Sequence, residues 1–203
     1  MPCKGLGIGA QMSQSMEYDD TSMRDFDELL DSARAGREPA WETLYVNFAS
    51  LVGRYLRSRN CPDPDDIVAE TFFQVVRNLA SFTGGRDDFR GWIVTIAHRR
   101  MVDEWRRRER QPLELVEFEV ICEHAPAGNV EEDSLLALSS AQIRGALRDL
   151  SIDQQDVLTL RFLGGLKIHE VAEAVGKTPG AVKALQARGI AALRRQISPE
   201  AVS

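Results

Sequence analysis

The sequence predicts an all-α protein made of two small helical modules joined by an acidic flexible linker. Three observations carry that expectation. Apolar residues recur at three- and four-residue spacing over most of residues 41–105 and again from about residue 135, the period of helices that bury one face. No segment shows sustained strand alternation with hairpin signals. Between the periodic stretches, residues 111–135 carry seven acids and no Lys or Arg, with Pro126 and Gly128 among them, which is a linker composition. At 203 residues, 43% of them hydrophobic and 28% charged, the chain can bury a core as one domain or two small ones.

Residues 1–23, rich in Gly, Ser, Met and Gln without periodicity, read as a disordered extension in which Met12, Met16 and Met23 are alternative starts. A first helix is marked by Trp41, Leu44, Tyr45, Phe48, Leu51, Val52, Tyr55 and Leu56, with Pro39 at its entry, where a missing amide costs little. Pro62 and Pro64 break the chain. A second helix runs from Asp65 to about Leu79 with Ile67, Val68, Phe72, Val75, Val76 and Leu79 inward, and Asp65 and Asp66 suit its N-terminal dipole. Residues 81–88, with Gly84 and Gly85, read as a loop. Phe89, Trp92, Ile93, Ile96, Ala97, Met101 and Trp105 mark a long third helix that ends in the basic string 106–110 before Pro112. Leu138, Ile143, Leu147 and Leu150 form the next element, and residues 154–163 another. The expected division is 24–110 for the first module, 111–134 for the linker and 135–198 for the second module.

The sharpest pattern is residues 168–193, IHEVAEAVGKTPGAVKALQARGIAAL. Ala172 lets two helices cross closely, Gly176 supplies a positive-φ turn, and Val182 and Leu185 point back to the core, which is helix-turn-helix spacing. Thr178 caps the second helix and Pro179 takes its first position, leaving the helix N-terminus free to approach DNA. Its exposed side carries Gly180, Lys183, Ala184, Ala187 and Arg188, of which Lys183 and Arg188 are the candidate DNA contacts and Gln186 a weaker one. The rival is a plain αα-hairpin in which Gly and Ala serve packing alone.

Other function classes find little support. Cys3, Cys61 and Cys122 are too far apart for a CxxC site and fit a reducing compartment. His98, His124 and His169 do not cluster with acids or thiols, so no metal and no cofactor is expected, and the histidines read as surface or capped residues. No phosphate-cradling glycine loop, nucleophile elbow or acid–base pair is present, and no catalysis is expected. No apolar run reaches the ~20 residues of a membrane helix, so the expected location is the cytoplasm without membrane insertion. The net charge of −6, from 25 Lys and Arg against 31 Asp and Glu, argues against indiscriminate binding of nucleic acid by charge. The sum hides its parts, because residues 81–110 carry eight basic against five acidic side chains and residues 136–203 nine against six.

Residues 65–76, DDIVAETFFQVV, resemble the conserved-region-two helix of bacterial sigma factors of the sigma-70 family, and residues 89–108, FRGWIVTIAHRRMVDEWRRR, resemble the promoter-melting helix that follows it. With the helix-turn-helix and the short linker, their order resembles the extracytoplasmic-function (ECF) group, over most of residues 24–198. The resemblance implies binding to core RNA polymerase, with the first module on the β′ clamp helices through Asp65, Asp66, Glu70 and Gln74, and a contact with the β flap. It implies promoter DNA as the second partner. The −10 element would be read and melted by Phe82, Arg86, Asp88, Arg90, Thr95, His98, Arg99 and Arg106, the −35 element by Lys177, Thr178, Gly180, Lys183, Ala184, Ala187 and Arg188. An anti-sigma factor is a further candidate partner. Physically, Asp65, Asp66 and Glu70 set three carboxylates within about one and a half turns, suited to a basic partner. Trp92 falls on the apolar stripe and reads as core before it reads as a stacking platform.

Two departures stand out. Where many members carry Arg-Asn after Ile-Ala, this chain has His98-Arg99, and the recognition helix reads VKALQAR over residues 182–188. The alternative reading is a helix-turn-helix regulator that binds DNA independently of polymerase, with residues 24–110 sensing a ligand or dimerising. A protein-interaction module that never reaches DNA is a second rival.

Overall fold

The computed structural model describes residues 25–110 and 145–197, and all the described secondary structure is helical. The chain forms α1 (residues 25–34), α2 (Glu38–Ser58), α3 (Pro64–Asn78), a 3-10 turn (Leu79–Ser81), α4 (Arg86–Arg110), a short turn of helix α5 (residues 145–148), α6 (Ile152–Phe162), α7 (Ile168–Val175) and α8 (Pro179–Ile197). The expected extension 1–23, the linker 111–134 and the positions Leu138 and Ile143 lie outside the described residues.

The first module is built around one ring. Phe89 of α4 is fully buried and meets Phe26 of α1 at 5.6 Å, Phe48 of α2 at 4.9 Å, Phe82 of the preceding loop at 5.4 Å and Trp92 one turn on at 5.5 Å, three of these edge-to-face or nearly so. Edge-on contacts of this kind satisfy the ring quadrupoles as well as burying area. Around the cluster, Leu44, Val52, Tyr55 and Leu56 of α2, Val75 of α3 and Ile93 and Ala97 of α4 are excluded from solvent. Arg34 at the end of α1 donates to the carbonyl of Phe82 at 2.8 Å and, more loosely, to that of Leu79 at 3.4 Å. It thereby fixes the loop that leads into α4.

Each helix of the second module has an identifiable start. Ser151 and Gln154 form a reciprocal capping box on α6. Gly176, at φ 65°, ends α7 in the left-handed conformation, and Thr178 Oγ1 accepts from the Ala181 amide at 3.2 Å to cap α8. Val171 and Val182 are fully buried between the two helices, and Ala172 nearly so. A satellite core of Leu147, Leu150 and Leu158 packs under α8.

The two modules touch. Val157, Leu160, Leu166, Val171 and Val182 share one continuous core with the first module, and the seam runs along α4. Gly91 leaves room for Leu166, and Gly164 sits where an added Cβ would lie 2.6 Å from the Leu160 carbonyl and 3.2 Å from Val94.

Three local expectations differ from what is observed. Residues 25–34 form a helix that the apolar spacing from Trp41 did not reveal, and its Phe26, Leu30 and Ala33 enter the core. α4 begins at Arg86, so Arg86, Asp87 and Asp88 form its first turn and only residues 82–85 are loop; the two acids compensate the helix dipole there. Val76, expected inward, is 53% exposed, because α3 turns its Ile67, Val68, Phe72 and Val75 side to the core and leaves the next position out.

Gly164→Ala should lower stability by about 1–3 kcal/mol, because the clash is with backbone as well as side chain. Gly145→Ala, whose Cβ would meet nothing within 4 Å, should be neutral or slightly stabilising. Reversible urea unfolding of both variants measures the contrast.

Candidate nucleic-acid interface

The second module presents a free recognition face. Gly180, Lys183, Ala184, Ala187 and Arg188 of α8 are all exposed, and no described acid pairs with Lys183 or Arg188. The small residues between the two cations leave the helix able to approach a groove closely. Thr178 is exposed but its hydroxyl is engaged as the cap. Lys177 is drawn to Asp153 at 2.9 Å, and Gln186 is half-buried.

In the first module the expected −10 residues separate into three groups. Arg86, Asp88, Arg99 and Arg106 are exposed. Among them, Asp88 accepts from the Gly85 amide at 3.0 Å, which supports the turn into α4, while Arg99 and Arg106 make only long contacts, with Glu173 at 4.0 Å and Asp103 at 3.9 Å. Arg90 and Thr95 are half-buried along a cleft of about 870 Å³ that also touches Phe82, Trp92, Lys167 and Glu170. Arg90 donates through Nε and Nη2 to the Leu163 carbonyl, at 2.9 and 2.7 Å, and Thr95 donates to the Gly91 carbonyl at 2.8 Å. Phe82 is buried, stacked on Trp92 at 4.9 Å and 30°, so its ring belongs to the aromatic core and only its rim reaches the cleft. Trp92, half-buried, does both.

His98 departs most from expectation. It was expected on the face that follows the DNA strand, and as a surface or capped histidine; it is 4% exposed and, two helical turns on from Gly91, lies on the strip of α4 that meets the second module. Its Nδ1 is 2.8 Å from Tyr55 Oη and 3.8 Å from Asp156. Burial, then the Asp156 charge, push the Tyr55 phenol well above its ordinary value, so the hydroxyl stays protonated while it shares a hydrogen bond with the ring. Next to them, Arg59 at the end of α2 donates from Nε to Asp156 at 3.0 Å, brings Nη2 within 2.7 Å of the same oxygen, and reaches the Gln155 side-chain carbonyl with Nη1. Gln155 in turn donates to the Leu150 carbonyl at 2.9 Å.

Sequence reasoning passed over this cluster, since Tyr55 scores only as an apolar position and Arg59 and Asp156 lie 97 residues apart. One signal was available: Gln155 and Asp156 stand three or four residues before Leu158, Thr159 and Leu160, on the side of α6 that must be buried.

The α3 surface carries Asp65, Asp66 and Glu70, all exposed, and Gln74, half-buried, which accepts from Arg100 Nε at 2.8 Å. Asp65 has a long contact with Arg57, at 3.8 Å. Beside the acids lie two apolar side chains absent from the expected site, Phe73 at 62% exposure and Val76 at 53%. Phe72 and Phe73 are adjacent on a helix, so they point about 100° apart and both cannot face one core; that arithmetic was available from sequence. At the far end of α4, Glu104 binds Arg107 and Arg108, which pull its carboxyl down to about 2, and Arg108 also pairs with Asp63.

A helical bundle carrying a cleft lined by both cations and acids, joined to a helix-turn-helix unit with a free recognition face, defines a class of DNA-binding transcription protein. Comparison with known proteins makes the class specific. Residues 43–111 match the family model for sigma-70 region 2, and residues 140–193 match that for sigma-70 region 4. The chain is 35% identical over 176 residues to the ECF RNA polymerase sigma factor BldN of Streptomyces coelicolor, a match that spans 86% of this chain and 66% of BldN. It is 28% identical over 148 residues to the ECF RNA polymerase sigma factor SigK of Mycolicibacterium vanbaalenii, spanning 71% of this chain and 73% of SigK. Among solved structures, the fold resembles that of CnrH in complex with the cytosolic domain of CnrY, at TM-score 0.57 and 21% identity over 86% of this chain and 98% of that one. It also resembles the sigma factor RpoE in complex with the anti-sigma factor NepR from Bartonella quintana, at TM-score 0.58 and 20% identity over 78% and 97%. The chain belongs to the sigma-70 family of RNA polymerase sigma factors, in its ECF group.

The His98 environment makes a pH prediction. Burial lowers its pKa below the ordinary 6.5; the Asp156 carboxylate pulls it back up, and Arg59 and Arg99 push it further down. The neutral ring therefore suits the packed state, and its contribution is whole above pH 6.5. It is lost as the pH falls below that value, because an exposed ring takes up the proton that the buried one resists. Thermal stability of the wild type should weaken as the pH falls below 6.5, and His98→Gln should flatten that limb. Equal slopes for the two proteins would refute it.

Proposed function

We propose that this chain is a promoter-specificity subunit that binds core RNA polymerase, directs it to promoters with −35 and −10 elements and assists melting of the −10 region. The polymerase supplies the chemistry, and the chain acts in the cytoplasm without catalysis of its own. The observation that carries this reading is the pairing, in one chain of this family, of a free recognition helix with a second DNA-suited helix. α8 offers Lys183 and Arg188 on a face otherwise lined with Gly and Ala. α4 offers Arg90, Thr95 and Arg99 along its cleft side, with Arg86 and Arg106 exposed beyond the cleft, where a displaced strand could be tracked by cations.

On this reading residues 24–110 serve as the polymerase-binding and −10 module and residues 135–198 as the −35 module, with Lys177, Thr178 and Gly180 placing the start of α8 on the DNA backbone. Phe82 and Asp88 line one end of the cleft, where Asp88 holds the turn into α4, and His98 is buried within α4's packing. The acidic edge of α3, Asp65, Asp66 and Glu70 with Gln74, would meet a basic polymerase surface such as the β′ clamp helices. Phe73 and Val76 supply the apolar centre that a stable interface needs within a polar rim. The β flap is a further contact for the second module. BldN, SigK and their like bear the name RNA polymerase sigma factor, and the RpoE structure is described as a complex with an anti-sigma factor; an anti-sigma partner is proposed here by that likeness.

Run-off transcription with purified core polymerase over a promoter library tests the reading. Specific transcripts that require the chain are expected, and DNA binding as a dimer on a palindrome without polymerase would replace it with an independent regulator. In the same assay Lys183→Ala and Arg188→Ala should each cut output from promoters with a −35 element. If a residue contacts phosphate, its loss should lower the slope of log affinity against log salt by about 1; if it contacts a base edge, its loss should relax sequence preference. Phe73→Ala should weaken binding to core polymerase about tenfold or more with little change in thermal stability, because the side chain is exposed in the free chain.

A further inference from the structure

The exposed face of α8 continues past Arg188 to the end of the helix. At about 100° per residue, Gly180, Ala184, Ala187 and Ala191 fall in one row about 17 Å long, and all are exposed. Cations border the row on both sides. Lys183 and Arg194, about three turns apart, share one edge, and Arg188 and Arg195, about two turns apart, share the other. All four side chains are exposed, and the two edges stand roughly 100–140° apart around the axis. No acid occurs anywhere in α8. Among the described residues the one ion pair within the second module is Lys177 with Asp153, ahead of the helix, so none of these cations has a described carboxylate partner.

The opposite face of α8 holds this arrangement in place along its whole length. Val182 is fully buried near the start, and an added Cβ on Gly189 would lie 2.8 Å from Leu158, which shows how closely the middle of the helix sits on α6. Ile190, Ala192 and Leu193 pack on the satellite core, and Gln196 donates to Asp149 at 3.1 Å. The last turns are thus anchored as the first are. We propose that Arg194 and Arg195 are phosphate-binding residues of the −35 site, which with Lys183 and Arg188 grip both walls of the major groove while the Gly and Ala row lets α8 lie close along its floor. This rests on the reading of α8 as the −35 helix. The major groove is about 12 Å wide and admits one helix, so cations on opposite edges of that helix face opposite backbones. A long recognition helix can meet the backbone with its C-terminal end. Such contacts fix depth and register without carrying sequence information; the arginines position, and residues nearer the N-terminus meet base edges. Basic residues in a last turn also offset the helix dipole, but that role bears on stability and leaves salt dependence alone.

The measurement is fluorescence anisotropy of the full chain with a fluorescein-labelled random-sequence DNA duplex at increasing salt. Arg194→Gln and Arg195→Gln should each lower the slope of log affinity against log salt by about 1, and together by about 2, whereas Arg195→Lys should keep it. Arg54→Gln, which removes one exposed charge from α2, should leave the slope as it is. Dipole compensation alone predicts a lower melting temperature with an unchanged slope. Circular dichroism checks helix content; should one variant lose it, the other carries the test, and loss in both overturns the assignment. An unchanged slope in either folded variant, an equal drop in Arg54→Gln, or no binding by the wild type at low salt would also overturn it. In run-off transcription the double variant should lower output evenly across promoters with a −35 element. Transcripts that require the chain, with an unchanged slope, sink the phosphate assignment only; a lowered slope without transcripts sinks the promoter-subunit reading only.

Discussion

Helix α4 has to be buried on two sides, and most of the structure is arranged around that requirement. One side carries Phe89, Ile93, Ala97 and Met101 into the first module, all fully excluded from solvent. A neighbouring strip, Gly91 and Val94, packs on Leu166 and Gly164 of the second. A helix that faces two partners at once leaves few positions for solvent, and here these are Arg86, Asp87, Asp88, Arg99, Asp103 and residues 106–110. Small residues make the double packing feasible. A side chain at position 164 would push the helices apart, whereas a methyl at 91 would only touch Leu166 at ordinary contact distance.

The charged groups fall into two energetic classes. Arg107 and Arg108 share Glu104 on the surface, and Arg106 has Asp103 only at 3.9 Å. Exposed pairs of this kind are worth about 0–1 kcal/mol, so a phosphate can take the arginine from its carboxylate at little cost. Arg59 and Asp156 belong to the other class. Their burial makes either one alone unfavourable in the closed seam, although the pair itself adds little net stability there. Surface arginines are therefore free to change partner, whereas the buried one is committed to the module arrangement. The net charge of −6 describes neither class.

What could be read from the sequence divides along the same line. The helix-turn-helix was legible almost residue by residue, because each of its parts is set locally: Gly176 by its positive φ, Thr178 and Pro179 by the cap, Val182 by the helical period. The length of α4 was legible from its stripe, but its start was not, since Asp87 and Asp88 suit a loop and a first helical turn equally. α1 was missed although Phe26, Leu29, Leu30 and Ala33 stand at i, i+3, i+4 and i+7, because it spans only residues 25–34 and directly follows the aperiodic stretch 1–23. The misplacement of His98 has a different origin. A histidine beside two arginines looks exposed, and only the approach of Tyr55 and Asp156 from other helices makes its burial acceptable. Tertiary contacts between residues 43 and 97 positions apart leave no periodic trace.

The same distinction separates the two surfaces on which partners would act. The α3 patch is apolar at Phe73 and Val76, and Arg77 lies over the Phe73 ring at 4.9 Å. That cation shields the ring from water in the free chain and would have to swing aside for an interface to form, at a cost of order 0.5–1 kcal/mol for an exposed cation–π contact. A partner recovers that several-fold by burying a phenylalanine and a valine. The seam between the modules works the other way, because its charges gain solvation on opening while its apolar contacts lose burial. A patch that favours docking and a seam that only partly opposes separation need no large energy input to be coupled. Binding at α3 does not touch Arg59 directly, so any coupling has to pass through the shared packing of α2 and α4, whose buried Tyr55 and His98 meet each other and, through His98, Asp156.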